Sequence, residues 1–306
     1  MAHAFFRKRI GPEAVPVMTI ASSLPDIDAL VHLTGDPTAV LMRRTFGHSI
    51  FLLPLWALGL TLILRRFYPR PGPAHLYGLI LLASLVHLFF DLVNSFGVVP
   101  LWPLSDWRPE LAIIFIIDLF LTGFLAAPLV LSLFPRLRPH LVMFSRISMV
   151  AVVAYVLFCG ANRWMAEGIL SAESARTSAR PDFSYVFPEP LGPHRWRGVT
   201  RAGDTYQIYL IQPLSNRVEQ VGRERTLQGE PSIEQARATT LGRRLEWFFK
   251  APVWKVEGSP SGGDSMPDPS VVVNVYDLRF RSVLIHREPP FVYRFRAFPD
   301  GRVEGL

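Results

Sequence analysis

Apolar positions are concentrated in the first 162 residues, where they form runs longer than those of ordinary globular helices. A transmembrane helix needs about 20 mostly apolar residues. Arginines that flank the shorter runs can extend to the headgroups. Four runs meet this description, and a fifth is shorter and more weakly apolar: Ser49–Leu64, Ala74–Phe90, Leu111–Phe134, Leu141–Gly160 and then Glu13–Leu24. The pattern predicts an α-helical polytopic membrane domain of four to five spans.

The pattern changes after residue 163, where the long apolar runs stop and polar and apolar positions alternate over short distances. Alternation over four to eight residues is typical of half-buried strands. Ser232 and Gln235 have the spacing of a capping box, which predicts a helix reaching about Lys250. The predicted strands are Thr205–Ile211, Val271–Phe280, Ser282–His286 and Phe291–Phe298. We therefore predict two domains, residues 1–163 in the membrane and residues 164–306 as a small soluble α+β or mostly β domain.

Composition supports a membrane protein and excludes some kinds of site. Only 19% of the residues are charged, against about 25% in an ordinary soluble domain. Cys159 is the single cysteine, which excludes an intramolecular disulfide and a cysteine-based zinc site. The net charge of +7 comes from 29 arginines against 3 lysines, a bias that reflects composition more than a partner. We expect the lipid bilayer as a partner and no nucleic acid.

Several ionisable residues converge on one membrane face if the predicted spans alternate in direction. Asp26 and Asp28 precede the first long run, and His48 lies at its start. The second run returns the chain to the same face and carries His87 and Asp91, whose i, i+4 spacing places them on one side of a helix.

The third run starts on this face and is expected to carry Asp118 seven residues inside the span, about 10 Å deep. Imidazole and carboxylate donors together suit Zn²⁺ best, with Mn²⁺ or Fe²⁺ as alternatives, and they could hold one or two ions.

Structural interpretations of the same residues remain open. His87 and Asp91 could form a hydrogen-bonded pair that joins two helices, and Asp118 could pair with Arg108 or Arg146. Arg43 and Arg44 could hold an anionic substrate or could extend to the headgroups at the edge of a span.

The motifs SLPDIDAL, RRTFGHS, HLFFDLVNSFGVVPLWPLSDWR and FIIDLFL, taken in this order, resemble the YdjM-like family of inner-membrane, metal-dependent hydrolases. The resemblance covers about residues 12–125. The segment PLGPHRWRGVTRAGDTYQ is similar to the C-terminal extension of a subgroup of the family. The metal ligands that the resemblance implies are Asp26, Asp28, His48, His87 and Asp91, with Asp118 supporting them.

The chain departs from the family pattern in two places. The family's HRG element has histidine where this chain has Arg43. Family members also begin with a short helix that bears a Thr-His pair ahead of a basic turn. Here the basic turn, residues 7–9, lies close to the first residue, so we expect that helix and its histidine to be missing.

The first functional hypothesis is a metal-dependent hydrolase at the membrane interface, in which Asp91 or Asp118 steers a proton. A lipid-like phosphoester or another amphiphilic ester is the expected substrate, because a soluble substrate would not require a site at this depth. The alternative is a non-catalytic anchor or scaffold whose C-terminal domain binds an envelope partner. Metal-ion transport fits less well, because the carboxylates gather at one face and do not line a path across the membrane.

The expected location is the inner membrane, and the distribution of basic residues bears on orientation. If Glu13–Leu24 also crosses, nine basic residues flank the spans on the face opposite the site and four on the site face. By the positive-inside rule, the site and the C-terminal domain would then lie on the outer, periplasmic side.

Overall fold

The computed structural model describes residues 1–36, 38–176, 181–257, 270–284 and 291–306. Tertiary contacts divide the chain into two compact units, Met1–Ala161 and Asn162–Leu306.

The N-terminal unit is helical throughout its regular structure. After a π-helix, Ala2–Phe6, its α-helices are α1 (Arg7–Ile10), α2 (Ala14–Ser22), α3 (Leu53–Leu64), α4 (Pro73–Val93), α5 (Leu119–Ser132) and the first part of α6 (Leu141–Arg176), whose residues from Asn162 onward belong to the C-terminal unit. Short 3₁₀ helices form at Pro25–Thr34, Ala39–Met42, Phe46–His48 and Arg138–His140.

Among the described residues, two helical segments are long and apolar enough to cross a membrane unaided: Pro73–Val93 and Arg138–Arg176. Two further candidates are bent pairs of helices. Ala14–Ser22 turns by 46° into Pro25–Thr34, and Ala39–His48 turns by 77° into Leu53–Leu64. The structure thus gives two to four candidate spans, and the predicted count of four to five is not confirmed.

The prediction for Leu111–Phe134 is wrong in its first third. The α-helix begins only at Leu119, and Asp118 is its N-cap instead of lying a turn or more inside it. The preceding residues fold back on the end of α4, where Leu111 and Ile113 donate backbone hydrogen bonds to Leu92 and Val93. Irregular backbone is tolerated at membrane depth where other protein groups satisfy it in this way.

The core of the N-terminal unit lies where α2 and α3 pack on α4. Small side chains let these helices approach closely, with Ala14 and Ala21 of α2 and Ala83 of α4 all buried. Ser84 also donates a hydrogen bond to the carbonyl oxygen of Ala21, at 3.2 Å. Small interfacial residues and interhelical hydrogen bonds are the usual means of holding helices together in lipid. This packing fixes α2, and therefore the chain that follows it, against α4.

The C-terminal unit contains two four-stranded antiparallel meanders with two short helices between them in sequence. The first sheet has the order β1 (Phe183–Pro188), β2 (Trp196–Ala202), β3 (Thr205–Gln212) and β4 (Arg217–Arg225). The second has the order β5 (Pro252–Glu257), β6 (Val271–Asp277), β7 (Val292–Ala297) and β8 (Val303–Gly305). The helices are α7 (Pro231–Ala238) and α8 (Thr240–Phe248). The predicted domain type, α+β or mostly β, is confirmed.

The strand predictions hold for three of four segments. Strands β6 and β7 lie within the predicted runs, and β3 extends one residue beyond its run, to Gln212. Strand β6 ends at Asp277 and is followed by a 3₁₀ turn, Leu278–Phe280. In the remaining run, Ser282–His286, residues 282–284 are not a strand, and residues 285 and 286 lie outside the described part of the chain.

The single predicted helix is divided in two, and its cap is misplaced. The N-cap of α7 is Glu230, with Pro231 at the first helical position, so Ser232 is not the cap. Thr239 interrupts the helix, and its hydroxyl accepts a hydrogen bond from the amide of Gly242 to begin α8. A Cβ atom at Gly242 would lie 2.1 Å from the Ala236 carbonyl oxygen, so the tight turn between the helices requires glycine.

Candidate metal centre

The two aspartates of the PDID segment lie on the 3₁₀ helix that follows the bend after α2. Asp28 is fully buried, whereas the side chain of Asp26 is 41% exposed. The His48 loop approaches this helix closely, because Gly47 lies against the backbone of Pro25. A Cβ atom at position 47 would lie 2.0 Å from the Pro25 carbonyl oxygen. Glycine is therefore required there, and it brings His48 beside Asp28.

His48 is fully buried and joins two carboxylates. Its Nδ1 lies 2.9 Å from Oδ2 of Asp28, and its Nε2 lies 2.9 Å from Oδ2 of Asp91. The backbone amide of Thr45 donates a second hydrogen bond to Oδ2 of Asp28, at 3.0 Å. A carboxylate on Nδ1 fixes the orientation of an imidazole and directs its Nε2, which is the arrangement found behind many metal-binding histidines.

His87 completes the cluster from α4, one turn before Asp91. Its Nε2 lies 3.4 Å from Oδ2 of Asp91 and 3.9 Å from Oδ2 of Asp26. One potential ligand atom from each of Asp26, His48 and His87 lies within 4.8 Å of the others. The structure thus brings together residues from three separate elements: the PDID helix, the His48 loop and α4.

The arginines of the RRTFGHS segment enter the same cluster. Arg43 donates to Oδ1 of Asp26 at 2.8 Å, and Arg44 lies 2.8 Å from Oδ2 of Asp91. Arg44 also donates to the side-chain oxygen of Asn94 at 2.8 Å. Both arginines neutralise carboxylates of the candidate site.

The donor set fits a divalent cation. Nε2 of His87 is buried, and among the described residues it has no hydrogen-bond partner, although two carboxylates face it. Arg43 takes Oδ1 of Asp26 and leaves Oδ2 facing His87. Three carboxylates meet only two guanidinium groups here, so one negative charge remains when the histidines are neutral. Imidazole nitrogen and carboxylate oxygen are ligands that Zn²⁺, Mn²⁺ and Fe²⁺ accept.

Asp118 does not join these side chains directly. One of its oxygens accepts the backbone amide of Leu121 at 2.8 Å, and the other accepts the hydroxyl of Tyr155 at 2.7 Å. Of the structural alternatives, the pairing of Asp118 with Arg108 or Arg146 is not formed, and a tyrosine hydroxyl takes that place. Asp118 caps α5 and ties it to α6.

A cavity of about 650 Å³ adjoins the cluster. Five of its polar lining residues adjoin one another in one continuous patch: Asp26, Arg44, His87, Asp91 and Asn94. Most of the remaining lining is apolar, including Phe90, Ile114, Leu121, Leu125, Met149 and Val152, and Asp118 lies in the same wall. A volume of this size is typical of sites for small organic ligands.

Sequence reasoning identified the acidic and imidazole members and named Arg44 as a candidate, but it missed two polar groups, Asn94 and Tyr155. Arg44 lines the cavity, Asn94 holds Arg44, and Tyr155 holds Asp118. The sequence contained a signal for Asn94, because it follows Asp91 by three residues at the end of α4 and so lies near that carboxylate. Tyr155 had none, because its partner is 37 residues away along the chain.

Comparison with known proteins assigns the N-terminal unit to a family. A family model described as "YdjM inner membrane protein" matches residues 1–166, more than half of the chain. A Bacillus subtilis (strain 168) protein named "Uncharacterized protein YfhP" is 34% identical over 109 residues, which is 35% of this chain and 33% of that protein. No solved structure matches the chain significantly. With this family match and the apolar helices described above, the chain belongs to the YdjM family of inner membrane proteins.

Proposed function

We propose that this protein is a membrane-bound, metal-dependent hydrolase that acts at the membrane interface on an amphiphilic ester, with a lipid-like phosphoester as the first choice. The observation that carries the proposal is that Asp26 and His87, two members of the Asp26, His48 and His87 group, lie in the polar wall of a largely apolar cavity. Reactive donors and an apolar binding space in one site are what hydrolysis of an amphiphile requires.

Asp26, His48, His87 and Asp91 are the residues that would hold the ion, with Zn²⁺ first and Mn²⁺ or Fe²⁺ as alternatives. A divalent ion would supply Lewis-acid polarisation of an ester oxygen and a nucleophile available at neutral pH. We assign Asp28 a positioning role instead of the ligand role expected from the sequence. Its Oδ2 is bound by Nδ1 of His48 and the amide of Thr45, its Oδ1 lies 4.0 Å from Nε of Arg43, and Asp28 is not among the three residues whose potential ligand atoms converge.

Asp91 is the residue best placed to accept and pass on a proton during hydrolysis. Its Oδ2 lies within 3.4 Å of both imidazoles and also contacts Arg44, and Asp91 lines the cavity. Both oxygens of Asp118, the other candidate, accept hydrogen bonds within the protein. Asp118 therefore serves chiefly to shape the cavity wall.

The cavity supports an amphiphilic substrate with an anionic head. Arg44 lines the polar patch paired with Asp91, and a bound divalent ion would add the positive charge that an anionic head requires. Ile117 and Leu125 line the cavity and are also exposed, at 71% and 46%. The cavity thus opens on an apolar surface, from which the acyl chain of a lipid could enter.

A second candidate function is a membrane anchor whose C-terminal domain binds an envelope partner. The observation that favours it is a basic cleft in that domain, described below. On this alternative the Asp/His cluster is purely structural, and variants of it would lose stability without any loss of bound metal.

His87→Ala and Asp26→Ala are each expected to abolish metal binding, because each removes one of the four residues proposed to hold the ion. His75→Ala changes an exposed histidine at the other end of α4 and serves as the matched control. Metal content of the detergent-purified proteins, measured by mass spectrometry, should show about one or two equivalents in the parent and in the control. Stoichiometric metal in both site variants would refute the assignment.

Asp28→Asn is expected to weaken metal affinity by about 10–100-fold while leaving full occupancy at saturating metal, as for other residues behind a ligand. His48→Ala should bind no metal at all. Affinity is measured by competition with a coloured chelator, with Asp106→Asn as an exposed control in the same unit. Unchanged affinity would exclude the positioning role, and complete loss of metal would make Asp28 a ligand.

Leu121→Trp is expected to block the chain-binding part of the cavity, because an indole fills space that the substrate would occupy. Hydrolysis of hexadecyl p-nitrophenyl phosphate should fall at least tenfold, whereas that of methyl p-nitrophenyl phosphate should change little. Leu129→Trp adds the same group at an exposed position of α5 that does not line the cavity. Equal loss with both substrates would argue against an apolar subsite.

We also propose that the site and the C-terminal domain face the periplasm, on the basis of the arginine distribution. Alkaline phosphatase folds only outside the cytoplasm, so its fusion after Leu306 should be active. A green fluorescent protein fused at the same position should remain dark. The opposite pair of results would place the C-terminal domain in the cytoplasm and overturn this orientation.

A further inference from the structure

The C-terminal unit contains a second cavity, of about 640 Å³, between its two sheets. One wall is a row of polar side chains that crosses three strands of the second sheet. Lys255 of β5 lies opposite Asn274 of β6, which lies opposite Arg294 of β7. Directly opposed residues on neighbouring antiparallel strands point to the same side of a sheet, with Cβ atoms about 5 Å apart. An ammonium, an amide and a guanidinium group therefore line the cleft side by side.

Two polar atoms in this cleft are buried and lack partners among the described residues. Asn274 is 6% exposed, and its Oδ1 has no hydrogen-bond donor. Arg197 is 2% exposed, and its Nε has no acceptor, although its other nitrogens bind Glu189 and the carbonyl oxygen of Arg279. Buried polar groups are nearly always paired, and an unpaired one costs about 1–3 kcal/mol. A ligand that offers both a donor and an acceptor would satisfy the two atoms.

The charges that line the cleft favour an anion. Five basic side chains (Arg197, Arg223, Lys255, Arg281 and Arg294) face two acidic ones, Glu224 and Glu257. Glu224 accepts hydrogen bonds from Lys255 at 2.7 Å and from Arg281. Burial raises the pKa of Glu224, but these two hydrogen bonds outweigh burial and hold its pKa below the ordinary value. Glu224 is therefore ionised at neutral pH.

The other three basic side chains differ in whether an acidic group offsets their charge. Arg197 forms an ion pair with Glu189, at 2.6 Å. No ion pair involves Arg223 or Arg294 within the described ranges of the chain, and both are exposed at the cleft. These two guanidinium groups are thus placed to bind an anionic ligand.

We propose that this cleft binds a phosphorylated polyol. The phosphate group lies against Arg294 and Arg223, a hydroxyl group donates to Oδ1 of Asn274, and a ligand oxygen accepts from Nε of Arg197. The same chemistry occurs in a free polyol phosphate and in the headgroup of a glycerol-phosphate lipid. The site is separate from the proposed hydrolase centre and does not depend on it.

The test is calorimetric titration of the full-length protein with glycerol 1-phosphate, in a detergent without a sugar headgroup so that the micelle brings no competing hydroxyls. Saturable binding with one site per chain is expected. Arg294→Gln and Asn274→Leu should each weaken binding at least tenfold. Arg217→Gln makes the same charge change at an exposed arginine of β4 outside the cleft and should bind like the parent. His87→Ala should also bind normally, which separates this site from the metal centre.

Absence of saturable binding would overturn the proposal, as would equal losses in Arg294→Gln and Arg217→Gln. Thermal unfolding of each variant identifies any loss of fold, and Arg294→Gln decides the question if Asn274→Leu does not fold.

Competition with vesicles of phosphatidylglycerol, against vesicles of phosphatidylcholine, distinguishes a lipid headgroup from a free polyol phosphate. Displacement of glycerol phosphate by the former alone identifies a lipid headgroup, and lack of displacement identifies a free polyol phosphate. Either result supports the site.

Discussion

The contact on which the N-terminal unit depends is the chain Asp28–His48–Asp91, in which one buried imidazole joins two carboxylates from separate elements. An ionised carboxylate near hydrocarbon costs at least about 2.5–3.5 kcal/mol if it has no partner. His48 supplies a partner to both carboxylates, and Arg44 supplies a second one to Asp91. This compensation lets α4 carry an aspartate at its last turn, beside an apolar cavity.

The two arginines, and a metal ion if one binds, would both offset the negative charge of the clustered carboxylates. Arg43 binds the oxygen of Asp26 that points away from His87 and leaves the other oxygen directed toward it. The guanidinium groups reduce the negative charge of the cluster and leave Oδ2 of Asp26 facing Nε2 of His87, at 3.9 Å. Arginine at position 43, where the family pattern has histidine, is therefore compatible with a metal centre and reduces the number of available imidazoles.

Each of the two units contains a different kind of candidate site. The N-terminal unit combines imidazole and carboxylate donors with an apolar cavity, which suits catalysis on an amphiphile. The C-terminal unit presents basic and amide groups in a polar cleft between sheets, which suits recognition of a polar anion. If both proposals hold, the protein has one site that acts on a lipid-like ester and another that recognises a phosphorylated headgroup or a free polyol phosphate.

The amino-acid sequence determined the membrane character of the first half, the β-rich character of the second and the candidate donors, because long apolar runs, alternation and helical spacing are local signals. His87 and Asp91 are one helical turn apart, so a single α-helix was sufficient to predict that they act together. The sequence did not predict where α5 begins, because the backbone of residues 111–114 bonds to the end of α4 instead of forming its own helix. Tertiary structure also decided that Asp28 supports His48, that Arg43 and Arg44 enter the site, and that Tyr155 holds Asp118. These contacts join residues far apart in the chain, and only the packing of the helices determines which of them meet.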